Sequence, residues 1–416
     1  MQSNLRWNMG AGIIDAIFFS LGAQVIANET VIPLLLTRLG ASSVILGLIT
    51  ALGNLGILLP QLFGAGISQE RRYKKPITML FGIGERLPFL LIGVVIWLWG
   101  SGAPRVALFA YVILRILSSI SVGTIIPAWY TLIGKVIPTR RRGLFFGLGR
   151  GSGALLGVGG ALLAGYLLDS QGFPRGFALC FMIAAASMFV SWMGLAITRE
   201  PPDLIVKPHT PMRAYFARLP AILRVNRNYA RFVAARCVTI LGTMALSFFI
   251  VYGSGRFDLT GGVIGGLTAT ISTSQAVLYL VWGLIADRYG HKRVLCAGAV
   301  AMTGAALVAL WTPEIAGLYV AFALMGAAIA AEMISSSSIV LEFAPLDEQP
   351  TYVGLSNTLV APFRALAPIL GGALAAGLGY GGLFAVAALF SLLGALSMAL
   401  GVHEPRKRVH ASLPVV

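Results

Sequence analysis

Apolar residues along this chain run in blocks too long for the core of a soluble domain. Predominantly apolar stretches recur twelve times, at about 10–37, 43–67, 76–100, 105–134, 144–169 and 174–198, then at 229–254, 260–286, 292–312, 314–341, 350–377 and 379–402. About 20 apolar residues in helical conformation cross a bilayer, so each block predicts a membrane-spanning helix. Most connections are only a few residues long. The exception is 199–228, where Lys207, Arg213, Arg218, Arg224 and Arg227 alternate with Pro202, Pro208, Pro211 and Pro220. Proline breaks long helices, so this stretch reads as a linker carrying one surface-lying amphipathic helix around 212–224. The predicted fold class is an all-α membrane protein with twelve transmembrane helices in two pseudo-symmetric six-helix bundles. The bundles are 1–198 and 229–416, the second ending in a short cytoplasmic tail, and 199–228 joins them.

Local repetition supports the two halves. Gly159-Gly-Ala-Leu162 recurs as Gly371-Gly-Ala-Leu374, and the spacing of Pro138 and Gly147 recurs in Pro345 and Gly354. A charged connection also occurs twice. Gly283–Arg293 concentrates Asp287, Arg288, Lys292 and Arg293 around Gly290, between two apolar blocks. Its counterpart, Gly66–Lys75, places Glu70, Arg71 and Lys75 at the positions of Asp287, Arg288 and Lys292, with Tyr73 in place of the turn glycine.

Composition agrees with lipid as the solvent. The chain of 416 residues is 57% hydrophobic and 11% charged, against about 25% charged residues in soluble domains. The net charge of +16 would suggest nucleic acid in a soluble protein. Here the bases fall on one side of the predicted membrane. Arg6, Arg71–Lys75, Lys135, Arg140–Arg142, the linker bases, Arg288, Lys292, Arg293 and Arg406–Arg408 share that side, while Arg38, Arg105, Arg175 and Arg256 lie on the other. Lys and Arg collect in cytoplasmic loops, which predicts cytoplasmic N- and C-termini and no nucleic-acid partner. The run after Arg6 lacks an early cleavage site and reads as a first spanning helix. Cys180, Cys237 and Cys296 lie in apolar blocks at spacings that fit neither a metal site nor a disulfide framework. No nucleophile–base constellation or phosphate loop is present, so neither an enzyme nor a cofactor is expected.

Several of these motifs resemble those of the major facilitator superfamily. Gly283–Arg293 is similar to that family's signature between the second and third helices of each half. Val31-Ile-Pro-Leu34 resembles its outer-end proline motif, and Arg115 followed by Ser119 resembles its Arg-x-x-x-Gly motif with serine replacing glycine. Ala367-Pro-Ile-Leu-Gly-Gly372 resembles the antiporters' Gly-Pro-x-x-Gly-Gly motif, although it lies in the eleventh block. The fifth block has only Gly153-x-x-x-Gly157-Val-Gly-Gly160. The resemblance implies alternating access, with substrate near mid-membrane between the halves. It also implies a gating role for Gly283, Asp287, Arg288, Gly290, Lys292 and Arg293, and for Gly66, Glu70 and Arg71 in the weaker copy. Asp287 is expected to act as a latch rather than a ligand.

Ionisable groups at membrane depth are costly and need partners or water. Asp15 and Glu29 share one face of the first predicted helix, about 21 Å apart at 1.5 Å per residue. Arg115 shares a face with Ser118, Ser119, Val122 and Trp129, and a guanidinium there can hold a carboxylate. Arg236, Thr239, Thr243 and Ser247 form a polar stripe in the seventh block; Arg236 lies near the cytoplasmic end, where it can snorkel. Thr268, Ser272, Gln275 and Tyr279 form a stripe in the eighth. Glu332 is the only deep acid of the second half. Asn357 and Arg364 share a face in the eleventh block, and Arg150 lies at nearly the equivalent position of the fifth. Glu85 and Arg86 read as a structural or gating pair. The substrate- and proton-binding candidates are therefore Asp15, Glu29, Arg115, Trp129, Arg150, Arg236, Gln275, Tyr279, Glu332, Asn357 and Arg364.

The expected function is secondary active transport of a small organic solute, with protons as the coupling ion because the acids can change charge and the arginines cannot. Two alternatives stay open: an uncoupled facilitator of an organic anion, and a proton-driven exporter of amphipathic compounds. The short loops favour a prokaryotic inner membrane as the cell membrane concerned, and a monomer is expected, with the bilayer and the solute as its partners.

Overall fold

The computed structural model describes residues 4–69, 71–202, 222–345 and 348–405. Glu70 and most of the predicted linker, including most of its surface helix, lie outside the described residues. The chain is helical through most of the predicted blocks. α1 is Leu5–Val25, α2 Val31–Arg38, α3 Ser43–Leu58, α4 Pro60–Gln69, α5 Lys75–Trp99, α6 Pro104–Val136, α7 Thr139–Gln171 and α8 Arg175–Ala196. α9 is Arg227–Leu241, followed by a 3-10 stretch at Gly242–Phe248 and by α10, Phe249–Arg256. Then come α11 Gly261–Tyr289, α12 His291–Trp311, α13 Ile315–Ser335, α14 Ser338–Phe343, α15 Gln349–Gly377 and α16 Gly379–Gly401. Among the described residues, 11 helical stretches are long and apolar enough to cross a membrane, and Ser43–Leu58 is a shorter apolar helix. α4 follows it directly through the helical backbone of Leu59.

Two compact units form, made of the described residues within Met1–His209 plus Ile250–Ser272, and within Thr210–Phe249 plus Thr273–Val416. In unit 1, α1 packs on α7 and α8, α5 on α6 and α8, and α3 and α4 on α6. The glycines of α7 make its contact with α1 close. A methyl at Gly149 would lie 2.9 Å from Ala16 Cβ, and one at Gly153 2.6 Å from Ser20 Oγ. Small residues at this spacing let helix backbones approach. In unit 2, α12 packs on α13 and α16, and α9 on α15 and α16.

The first predicted helix is not continuous. It stops at Val25 and restarts at Val31. The ring of Pro33 would collide with the carbonyl four residues back in an unbroken helix, so the chain opens at 26–30 and Ile32 N–H returns to Ala27 O at 3.1 Å. The break presents Asn28, Glu29 and Thr30. Thr30 Oγ1 bonds Thr268 Oγ1 at 2.6 Å. The charged connection Gly283–Arg293 is shorter than its sequence suggests. α11 runs through Tyr289, so Gly283, Asp287 and Arg288 lie on the helix. The turn is Gly290, at φ +91°, where a side chain would be strained.

Each unit fastens its first long helix to the end of its last in the same way. Asn8 Nδ2 donates to Arg199 O at 3.0 Å, and Arg199 N–H donates to Asn8 Oδ1 at 2.9 Å. In unit 2, Asn228 Nδ2 donates to His403 O and His403 N–H to Asn228 Oδ1, both at 2.8 Å. The residue after each clamp is a glutamate followed by proline. Glu200 accepts from the N–H groups of Lys74 and Lys75, at 2.7 and 2.8 Å, at the start of α5. The carboxylate of Glu404 lies against Gly290 at the start of α12.

A further cap joins α7 to α11. Asp169, in the last turn of α7, accepts from the N–H groups of Gly261 and Gly262, the latter at 2.6 Å. Free N–H groups at a helix start favour an anion. Close packing surrounds the contact, since a methyl at Gly265 would lie 2.8 Å from Ala161 O. Asp169→Ala is expected to lower stability by about 1 kcal/mol, the ordinary value of an N-cap. Denaturant unfolding in detergent measures this, and Asp169→Asn should recover part of the loss.

Candidate functional site

Two ionic clusters, one in each unit, collect most of the charge buried in the spans. The first is built on α5, where Glu85 and Arg86 are adjacent. Arg86 is held from several sides: Nε donates to Met188 O at 2.7 Å, Nη1 to Gly82 O at 3.1 Å, and Nη2 to Ser191 Oγ at 3.0 Å. Nη1 also donates to Glu85 Oε2 at 2.7 Å. Ser191 passes the interaction on, donating to Asp15 Oδ1 at 2.6 Å. Asp15 lies 3.8 Å from Arg86 through the same oxygen, and its other oxygen accepts from Trp129 Nε1 at 3.1 Å. Asp15, Glu85 and Arg86 are each 5% exposed. Two carboxyls therefore share one guanidinium in a buried setting.

The elements explain this convergence. Close approach brings α1 and α8 together, since a methyl at Gly22 would lie 2.8 Å from Ala184 O and one at Gly194 2.8 Å from Ala11 O. That places Asp15 beside Ser191. Arg115 stands off the cluster. It donates to Asn28 Oδ1 at 3.2 Å, with its guanidinium 5.7 Å from the Phe89 ring centroid, and it acts on Glu85 electrostatically.

The second cluster reverses the ratio. Arg236 on α9 and Arg364 on α15 both donate from Nη2 to Glu332 Oε1 on α13, each at 2.7 Å. Arg236 Nη1 donates to Ser356 Oγ at 3.1 Å. The expectation that Arg236 snorkels is corrected: it is 4% exposed and turned inward onto Glu332, because an internal carboxylate satisfies the guanidinium better than a helix-end position does.

The structure thus joins Asp15 with Trp129, and Glu332 with Arg236 and Arg364. It does not join Asp15 with Glu29. Glu29 lies in the non-helical break, and no salt bridge to it occurs among the described residues. Asn357 is half-buried next to Ser356, Gln275 and Tyr279 are half-buried on α11, and Arg150 is exposed, 5.9 Å from the Phe146 ring centroid. Thr239, Thr243 and Ser272 bond carbonyls of their own segments, the alternative that hydroxyls in helices often take. Around the charged turn, Arg288 and Arg293 each lie 5.3 Å from the Tyr289 ring centroid. Lys292 Nζ donates to Ala399 O at 2.7 Å, and Asp287 is exposed.

The sequence reading missed Ser191 and Ser356 as links in these clusters, and no local signal marks either one. It also missed Glu200 and Glu404, for which a signal exists: a Glu-Pro pair follows the last apolar block of each half.

Among the described residues, no group of three or more His, Cys, Asp or Glu side chains could hold a metal ion. The fold is shared with solved transporters. A bacterial homologue of the human lysosomal transporter Spinster, inward-facing and unoccupied, has a TM-score of 0.71 at 15% identity over 100% of both chains. A D-xylose–proton symporter has a TM-score of 0.69 at 15% identity over 97% of this chain and 99% of its own. A nucleoside transporter has a TM-score of 0.71 at 13% identity over 95% and 98%. An MFS-type transporter of Aspergillus ustus, opaD, is 27% identical over 110 residues, which are 26% of this chain and 19% of that one. The sequence model of the Major Facilitator Superfamily matches residues 14–259 and 232–415. With that match across the helical blocks, the chain belongs to the major facilitator superfamily.

Proposed function

We propose that this chain is a proton-coupled secondary transporter of a small organic solute, working by alternating access as a monomer. Both termini are cytoplasmic in this reading. The halves 1–198 and 229–416, with the 199–228 linker between them, are its working parts. The observation that carries the coupling is the sharing of Arg86 by Asp15 and Glu85 in a buried cluster.

An unpaired buried charge costs several kcal/mol. With both carboxyls ionised the contact cluster carries one net negative charge, and with one proton bound it is neutral. Arg86 is pinned by backbone carbonyls, so the proton-binding event falls on the acids. The elements packed around them are α1, α5, α6, α7 and α8, and the further base that acts on Glu85 is Arg115 on α6. Its tether is Asn28 in the α1–α2 break. A movement of that break shifts Arg115 relative to Glu85 and changes which charge state is favoured. A proton that binds one conformation better than the other then biases the conformational equilibrium. The gating roles assigned to the two charged connections belong to the same reading, and Asp287 acts there as a latch.

The reading predicts a protonated carboxyl in the purified protein at neutral pH. Infrared spectroscopy should show its C=O band, and either Asp15→Asn or Glu85→Gln should abolish or shift that band. A spectrum without such a band, or one indifferent to both substitutions, refutes the assignment. In proteoliposomes, uphill solute movement should collapse when a protonophore is added. Transport indifferent to the protonophore identifies an uncoupled facilitator instead.

A further inference from the structure

The sequence places 250–272 in the second bundle, but Ile250–Ser272 belongs to the compact unit formed by the first. Contacts of three kinds hold it there. The Asp169 carboxylate accepts from the N–H groups of Gly261 and Gly262, one oxygen to each. Beside it backbone meets backbone: a methyl at Gly165 would lie 2.5 Å from Gly261 O and 3.0 Å from Gly265 Cα. About two turns further along α11, Thr268 Oγ1 donates to Ile264 O at 2.8 Å. A hydroxyl has one proton, so Thr30 is the donor in the buried Thr30–Thr268 bond.

The tie at Asp169 differs from ordinary packing. α11 has a cap of its own, since Thr260 Oγ1 accepts from Val263 N–H at 3.3 Å. The position that the Gly-Gly-Ala-Leu repeat pairs with Asp169 is Gly381, which carries no carboxylate. Asp169 and Gly262 are exposed, so water can replace each for the other when the helix ends separate. The glycine faces meet without interlocking side chains, and an exposed cap is a modest contact. Such a contact can open and close.

We propose that Asp169 is a gating residue: it latches the end of α7 to the start of α11, and the Thr30–Thr268 bond carries movement of the α1–α2 break to that latch. The same break holds Asn28, the tether of Arg115, and Arg115 acts on Glu85. The buried acid cluster and the latch therefore bias one segment from two places, which is what coupling between sites requires. The latch lies on the side opposite the cytoplasmic termini of the proposed reading.

This inference rests on the alternating-access part of that reading and not on the proton. Its test uses full-length protein in detergent with no gradient, so the latch can fail while the infrared band stands, and the reverse. Spin labels go on Gln171→Cys at the end of α7 and on Gly255→Cys, where a side chain meets open space, with Cys180, Cys237 and Cys296 replaced by alanine. Double electron–electron resonance should give a short distance with a minor longer component. Asp169→Ala should raise the ratio of long to short about fivefold, the ratio an ordinary N-cap is worth, and Asp169→Asn should raise it less. Thr30→Val should raise it too. Gly165→Val, whose side chain the closed contact cannot hold, should fold and show the longer distance alone. A merely structural cap would lower the unfolding midpoint of Asp169→Ala and leave its distances unchanged, and that result overturns the proposal. So does a Gly165→Val protein that fails to fold or keeps the short distance, because the contact is then fixed packing. A Thr30→Val protein with the parent distribution overturns the link to the break.

Discussion

Arg86→Leu is expected to destabilise the protein by about 3–5 kcal/mol, the cost of stripping one partner from a buried ionic group. Arg86 is the base in contact with both Asp15 and Glu85, at 3.8 and 2.7 Å, and its loss leaves both acids without that base. It also removes the donors that satisfy Met188 O and Gly82 O, so packing between α5 and α8 suffers with the charge. Reversible unfolding in detergent measures the loss. Removing the exposed base Arg38, in the last turn of α2, should change stability by no more than about 0.5 kcal/mol. The double variant Arg86→Leu/Glu85→Gln separates charge from packing. If charge dominates, the second substitution recovers a substantial part of the loss, as coupled residues do in a double-mutant cycle. A wild-type-like Arg86→Leu protein would mean that the cluster is hydrated, and the proton-binding argument would fall with it.

Glu200→Ala is expected to have an effect of similar size at the start of α5, again about 3–5 kcal/mol for a buried pair that loses one member. The Glu200 side chain is 2% exposed and lies 2.6 Å from Lys135 Nζ. Its two oxygens also cap the amides of Lys74 and Lys75. One carboxylate therefore fixes the start of α5, the end of α6 and the segment after α8. Glu200→Gln keeps an acceptor and loses the charge, so it should fall between wild type and Glu200→Ala. Hydrogen exchange at the first turn of α5 should rise before global unfolding. An unchanged exchange rate there in Glu200→Ala would show that the cap does not hold this helix.

The helices were legible in the sequence because a bilayer imposes a length and a polarity on every segment that crosses it, and both are local properties. The same holds for Gly290, whose turn follows from a single glycine between two charged helix ends. Pro33 carries a local signal for a break as well, and the structure places that break at 26–30. The ionic clusters were legible only as lists of expensive groups. Asp15 and Glu29 share a face at helical spacing, yet the helix stops at Val25 and restarts at Val31, so Glu29 lies in the break and not on the helix that carries Asp15. Glu85 and Arg86 looked like a self-contained pair because they are neighbours in the chain. Ser191, more than a hundred residues later, connects them to Asp15.

What the sequence carried by itself was the all-helical, apolar architecture, the family and the inventory of charges to be satisfied. Each of these depends on how much apolar surface a segment carries or on motifs a few residues long. Only the tertiary structure decided how the charges are shared: two acids on one guanidinium in unit 1, and two guanidiniums on one acid in unit 2. That division depends on which helix faces meet, and the meeting is set by close backbone contacts such as Gly22 on Ala184 and Gly194 on Ala11. Hydrophobic spacing leaves the rotation and depth of each helix open to within a turn, about 5.4 Å, while an ion pair forms or fails over less than that distance.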